Sequence, residues 1–349
     1  MTAAGPGAPV ALDAHGADAG PELVMEGAVL AAADGIAVRV FGPASLQPQT
    51  GVEVEPCERW IDNESDPVSA VRATPEASVV RAAAEVAAGR AGGLVSAGST
   101  GATMTAALFA LKRLQGVQRP ALAVQIPRPN AGRSAPPVLL LDAGANTEAR
   151  SQHLIQFAFL GSAFSRAVLG TASPRVALLS VGEEQKKGNP EVVEANEALG
   201  GAEGLAFVGN VEGRDLLSGA ADVVVTDGFT GNIALKTLEG TARAVADAVR
   251  GAARSGPLAA AGGLLLRPAL EGLRRGMDPN AVGGAVLLGL QGVAVVAHGS
   301  SSAEGIANAV RLADRAVRER VLERTAEALE RAGATRGGLR VSRAPGGKG

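Results

Sequence analysis

The chain has 349 residues, 46% of them hydrophobic and 2% aromatic, and its 33 basic and 35 acidic side chains leave a formal charge of -2. Near-neutral charge excludes the broad cationic face that nucleic acid requires, and a single tryptophan with no tyrosine leaves no base-stacking platform. One cysteine, Cys57, excludes an internal disulfide framework and suits a reducing compartment.

The first ten residues, MTAAGPGAPV, hold no basic side chain and no long apolar run, so no signal peptide is expected and residues 1–8 read as disordered. Short β-branched runs then alternate with helical patterns. Strands are predicted over 10–12, 38–41, 93–96, 121–126, 138–142, 176–181, 205–209, 223–226 and 293–297, with helices over 78–90, 103–114, 153–168, 232–253 and 303–331. Alternation of this kind implies right-handed βαβ units, hence an α/β fold with a largely parallel sheet covered on both faces, here in one domain over 9–332. Residues 281–297 are uncharged, but four glycines and Gln291 suit two buried strands joined by a turn better than a membrane span. Residues 255–280 place LAAAGGLLL beside Arg267, Arg274 and Arg275 between prolines, as expected of a helical hairpin projecting from the sheet. From residue 333 a tail with Arg336, Arg340, Arg343 and Lys348 and no acid reads as disordered.

Six predicted strand ends run into glycine-bearing polar turns: SAGSTG from Ser96, DAGAN from Asp142, SVGEEQKKGN from Ser180, GNVEGRD from Gly209, TDGFTGN from Thr226 and AHGSS from Ala297. Glycine lets the backbone turn sharply and approach a ligand closely. Asn232 is placed to cap the helix after TDGFTGN, and a strand, a glycine turn and a helix start together favour an anion. Carboxyl ends of parallel strands share one crevice, so the six turns are expected to meet in one pocket.

Its chemistry narrows by elimination. The chain lacks G-x-S-x-G, G-x-x-x-x-G-K-[ST] and G-x-G-x-x-G, so a serine elbow, a P-loop and a dinucleotide turn are disfavoured. His15, His153 and His298 are scattered without metal-ligand spacing, so neither metal nor cofactor is expected. Cys57 lies between Pro56 and Glu58 and reads as a spectator thiol in a polar stretch. Anion chemistry remains. Lys186 and Lys187 read equally as a solvated pair or an anion site, and Arg214 equally as a surface cation or an oxyanion clamp. His298 ends an apolar strand, which favours a place in the site.

SAGSTGA, RPALA, LDAGAN, KKGN, GNVEGRD, ADVVVTDGFTGNIALKTLEG and AHGSS, in this order, resemble the phosphate acyltransferases of the PlsX family from Val10 to about Glu330. The resemblance implies a three-layer α/β/α fold of the isocitrate/isopropylmalate dehydrogenase-like group. It implies a cytoplasmic, membrane-associated homodimer that converts fatty acyl-acyl-carrier protein and inorganic phosphate into acyl phosphate. That product feeds a membrane glycerol-3-phosphate acyltransferase at the start of phospholipid synthesis. Phosphate is then the nucleophile, so no activated Ser or Cys is needed. What the site needs is an anion cradle, donors facing the thioester oxygen and a proton for the departing sulfur. By resemblance, Lys186 or Lys187 and the helix start at Asn232 take phosphate. Asn146 and the Ser99, Thr100 and Gly101 backbone face the carbonyl or pantetheine, and His298 gives the proton. Arg214, Asp227, Gly228 and Asn189 complete the substrate contacts, and Leu264, Leu265 and Leu266 meet the membrane.

The chain departs from the family where DAMGGDHAP becomes DAHGADAGP, where the basic run RRKK before SSM becomes RATPEASV from Arg72, and where Ser99 replaces the Asn of SAGNTGA. Two alternatives therefore stand beside the main reading: a short-chain phosphotransacylase using coenzyme A thioesters, and an inactive membrane-associated scaffold.

Overall fold

The computed structural model describes residues 7–128, 135–276 and 279–335, without side chains for 267–276 and 279. Eleven strands form one sheet: β1 (Val10–Asp13), β2 (Val38–Gly42), β3 (Val52–Pro56), β4 (Gly93–Ser96), β5 (Ala121–Ile126), β6 (Val138–Leu141), β7 (Arg175–Leu179), β8 (Ala206–Val211), β9 (Val223–Val225), β10 (Ala285–Leu288) and β11 (Val293–Val296), in the order β3-β2-β1-β4-β11-β10-β5-β6-β9-β7-β8. The helices are α1 (Pro21–Ala33), α2 (Pro67–Ala73), α3 (Ser78–Ala87), α4 (Thr100–Leu111), α5 (Ser151–Ala167), α6 (Pro190–Gly200), α7 (Gly228–Ala253), α8 (Pro257–Gly276), α9 (Ala303–Arg318) and α10 (Val321–Arg331).

The central strands are buried on both sides because their side chains alternate between two cores, whereas the edge strands β3 and β8 are partly exposed. Leu139 and Leu141 of β6, with Val223 and Val225 of β9, join the layer of α1, α5, α6, α9 and α10. Leu140 and Val224 point to the opposite face, where the start of α7 packs; α2, α3 and α4 cover that face further along the sheet. The result is the expected three-layer α/β/α arrangement. α5 is almost wholly enclosed, with Phe157 and Phe164 fully buried, so truncating either to alanine costs about 3–5 kcal/mol.

Four details differ from the sequence expectation. β3, VEVEP, was not foreseen, because an edge strand with alternating glutamates lacks an apolar run. The helical stretch 303–331 is two helices, broken where Arg320 adopts a left-handed φ of 52°. The helix expected from Asn232 begins four residues earlier, at Gly228. The hairpin expected within 255–280 is not formed there, since 257–276 is one helix, α8; it is α8 that packs on α7, and Gly263 lies so close to Ala253 that an added Cβ would sit 2.8 Å from its Cβ. Of the ends predicted as disordered, 1–8 and 333–349, residues 1–6 and 336–349 lie outside the described residues, as do the side chains of Arg267, Arg274 and Arg275, while Ala334, within the second of them, is buried at 1% exposure.

Candidate active site

Strand direction divides the six turns. β1, β2, β3, β4 and β11 run parallel to one another, as do β6, β7, β8 and β9, but β10 pairs antiparallel with both β11 and β5, and β5 antiparallel with β6. The two parallel blocks therefore point oppositely. The turns after β6, β7, β8 and β9 open at one edge of the sheet, and those after β4 and β11 at the other. The expectation of one shared crevice fails here, because three antiparallel pairings, β11–β10, β10–β5 and β5–β6, lie between the blocks.

At the first edge Asp142 organises the turn after β6. Its Oδ1 accepts the backbone N–H groups of Leu122 (2.9 Å), Gly144 (3.1 Å) and Ala145 (2.9 Å), and its Oδ2 accepts the backbone and side-chain N–H of Asn146 (2.7 and 2.8 Å). Burial pushes this carboxyl above its ordinary range, against the donors that hold it down. Asn146 also donates to the Pro120 carbonyl (2.7 Å), so both of its amide protons serve the fold rather than a substrate. The start of α7 lies directly on this turn. A Cβ at Gly228 would sit 2.6 Å from the Asn146 carbonyl oxygen, and one at Gly231 only 1.9 Å from that of Asp142. That contact explains why strand β9 breaks into Asp-Gly-Phe-Thr-Gly before its helix. Asp227, not Asn232, caps α7, accepting the Thr230 N–H at 2.8 Å. Asn232 lies one turn further on, exposed, with its Oδ1 3.9 Å from a Cβ built on Gly144.

Beside this junction opens a cavity of about 890 Å³, lined by Arg113, Gln118, Arg119, residues 145–150, His153, Asn189, Glu191, Asp227, Phe229 and Thr230. Its volume suits an extended organic ligand rather than phosphate alone. Among the predicted residues it gathers Asn146, Asn189 and Asp227, with Gly228 and Asn232 adjacent. Asn189 caps α6 through its Oδ1, which accepts the Val192 N–H at 2.9 Å. Lys186 and Lys187 sit exposed on the same β7–α6 loop, a few residues before Asn189, but do not line the cavity. Arg214 is 70% exposed and pairs with Glu212 and Glu183 at 3.3 and 3.6 Å, the arrangement of a surface cation. The sequence reading gave no site role to Arg113, Arg119, Arg150 or His153. Their signal was present in RPALA and in the run after LDAGAN, but it was scattered over forty residues.

The second edge holds the remaining predicted residues. Ser99 caps α4, its Oγ accepting the Ala102 N–H at 3.4 Å; Thr100 opens that helix and Gly101 packs against Pro67. His298 is exposed, its Nδ1 2.8 Å from the Ser300 hydroxyl. Asp13 is buried beneath them, accepts from Ser96 Oγ at 2.7 Å, and is pushed above the usual carboxylate range by burial. His15 stacks on Trp60 at 5.2 Å with its Nε2 2.8 Å from the Cys57 carbonyl oxygen. Cys57 is buried against the apolar core with its Sγ accepting from the Arg81 guanidinium at 3.1 Å, and burial, which outweighs that cation, raises its thiol pKa. A raised pKa leaves little thiolate and so a poor nucleophile.

A family model described as a fatty acid synthesis protein matches residues 8–324. A phosphate acyltransferase from Anaeromyxobacter dehalogenans (strain 2CP-1) is 44% identical over 335 residues, spanning 92% of this chain and 90% of its own. Among solved structures, EutD phosphotransacetylase from Staphylococcus aureus superposes with a TM-score of 0.55 at 20% identity, over 88% of this chain and 93% of that one. A 4-hydroxythreonine-4-phosphate dehydrogenase from Klebsiella pneumoniae does so with a TM-score of 0.50 at 14% identity, over 87% and 98%. At these identities the structural likeness speaks to the fold alone.

Proposed function

The chain belongs to the fatty acid synthesis protein family, and we propose that the thioester whose acyl group it passes to inorganic phosphate is carried by an acyl carrier protein. It is an acyltransferase, and the acyl phosphate it makes serves phospholipid synthesis. The observation that carries the reading of the site is the roomy cavity at the carboxyl ends of β6, β7 and β9, with cationic side chains on its wall and the start of α7 at its side.

The chemistry balances without a cofactor. A phosphate oxygen of HPO4²⁻ attacks the thioester carbonyl carbon, the C–O bond forms, and the C–S bond breaks. The proton brought by the phosphate passes to the departing sulfur, giving acyl phosphate and free thiol with charge unchanged. In this reading Lys186 or Lys187, standing on the β7–α6 loop outside the cavity wall, takes the phosphate oxygens together with the start of α7, where backbone N–H groups and the helix dipole favour an anion. Donors at the cavity wall oppose the charge that develops on the thioester oxygen. His298 stands at the other edge of the sheet and in this reading does not protonate the sulfur.

The α7–α8 pair supports a peripheral membrane role. Among the described residues no helix is long and apolar enough to cross a bilayer. Leu258, Leu264, Leu265 and Leu266 are nonetheless exposed, Leu265 by 83%. An apolar face of that kind lies in a lipid interface or against a second copy, as expected of a cytoplasmic homodimer that hands its product to a membrane enzyme.

The test is mass spectrometry of products after incubation with phosphate and either palmitoyl-carrier protein or acetyl-coenzyme A. Long-chain acyl phosphate from the carrier-protein donor is expected. A short-chain product alone supports the phosphotransacylase alternative, and no product the scaffold.

A further inference from the structure

On one wall of the cavity, away from the lysine loop, three cationic groups meet the start of α5. Arg119 ends the segment leading into β5, Arg150 precedes α5, and His153 lies in its first turn. His153 is 8% exposed, yet it lines the cavity. Its Nδ1 accepts the Arg150 backbone N–H at 3.2 Å, so the ring proton sits on Nε2, and Nε2 has no partner among the described residues. That nitrogen is not one of the solvent-sealed unpartnered atoms, so its N–H opens on the cavity and is free to donate to an acceptor from outside the chain. Arg119 and Arg150 are exposed, and their guanidinium groups are solvated rather than sealed in. Neither Arg119 nor Arg150 makes an ion pair among the described residues, although Glu148 and Glu191 also line the cavity and Asp227 is occupied in capping α7. The two arginines are close enough to the imidazole that, with burial, they hold its pKa below the ordinary histidine value. A neutral ring with a donor N–H, two unpaired guanidinium groups and the N-terminus of a 17-residue helix thus face one space.

We propose that Arg119, Arg150 and His153 form a second anion subsite, separate from the Lys186–Lys187 loop, that takes a phosphoryl group. This rests on the reading of the cavity as the acyl-transfer site. That reading supplies two phosphoryl sources: inorganic phosphate, and the phosphodiester that joins the pantetheine arm to its carrier. A cavity of about 890 Å³ has room for the arm as well as the nucleophile.

The experiment measures binding directly, so that its outcome does not depend on turnover. Full-length parent, Arg119→Gln, Arg150→Gln and His153→Gln are titrated calorimetrically with inorganic phosphate, with 4′-phosphopantetheine and with unphosphorylated pantetheine. Arg119→Gln breaks no contact in the fold and keeps the test valid if another variant unfolds. A rise in Kd of about tenfold or more, the effect of one charge-assisted hydrogen bond, is expected for a phosphorylated probe, with pantetheine unchanged. A loss confined to 4′-phosphopantetheine assigns the subsite to the donor arm, and a loss confined to inorganic phosphate assigns it to the nucleophile. In the parent the His153 ring resonances shift on adding the bound probe. If Arg119→Gln and a folded Arg150→Gln bind both phosphorylated probes within twofold of parent, the subsite is refuted. Phosphoryl binding by a protein that yields no acyl phosphate would instead overturn the function and leave the subsite standing.

Discussion

Replacing Gly231 with alanine tests whether the contact between α7 and the Asp142 turn builds the site. The added Cβ would lie 1.9 Å from the Asp142 carbonyl oxygen and 2.9 Å from Thr226 Cγ2, whereas real Cβ atoms essentially never come within 3.0 Å. Relief therefore demands a movement of about 1.1 Å, and both neighbours are fixed: one is backbone, the other a buried side chain. Overpacking of this kind costs about 1–3 kcal/mol. A shift of about 1 Å in the residues that hold substrate lowers turnover by around a hundredfold. Gly240 supplies an internal control, since it lies in the same helix with nothing within 4 Å of its added Cβ. There, alanine removes a glycine from an exposed helix interior and stabilises by about 1 kcal/mol. Urea unfolding and steady-state acyl phosphate formation are measured for both variants. If Gly231→Ala proves as stable and as active as Gly240→Ala, the helix start does not depend on the close approach, and the account of this junction is wrong.

Replacing the phosphate-holding member of Lys186 and Lys187 with alanine should raise the KM for phosphate at least about tenfold, with the donor KM little changed, since a charge-assisted contact contributes roughly 1.5–3 kcal/mol; normal phosphate kinetics in both single variants would reduce the lysines to a solvated pair. Leu264→Glu with Leu266→Glu should abolish flotation with anionic liposomes while turnover of a soluble donor persists, and unfolding or dissociation of that variant would point to a buried interface. Asp222 predicts an acid-sensitive element. Burial pushes its carboxyl up, but Arg175 and Arg128 outweigh this and hold it at about 2, below the ordinary 3.8. A depressed carboxylate stabilises the fold fully above its unfolded pKa, and the contribution, about 2 kcal/mol, drains away as pH falls from about 4 through 2. Urea titrations of the parent and Asp222→Asn between pH 6 and 2 should show the parent losing that increment and the variant lacking it; parallel pH profiles would refute the assignment.

Much of this molecule was legible in the order of its residues. A strand buried on both faces must be apolar at nearly every position, so VLLL of β6 and VVV of β9 announced themselves, and the turns after them carried the polar and glycine residues that mark a strand end. β3 did not, because its glutamates face water at a sheet edge. The start of α7 was misjudged because Asp227 and Asn232 are both good caps by residue type. Only the packing of Gly228 and Gly231 on the Asp142 turn selects the first. The direction of a strand leaves no local trace in its residues, so the three antiparallel pairings from β11 through β10 and β5 to β6 were invisible, and with them the separation of Ser99 and His298 from Asn189 and Asp227. Arg119, Arg150 and His153 belong to one wall for the same reason. Local pattern reports whether a residue is buried and how its backbone bends, but the meeting of distant side chains depends on which strands pair, and pairing is decided by the energy of the whole sheet.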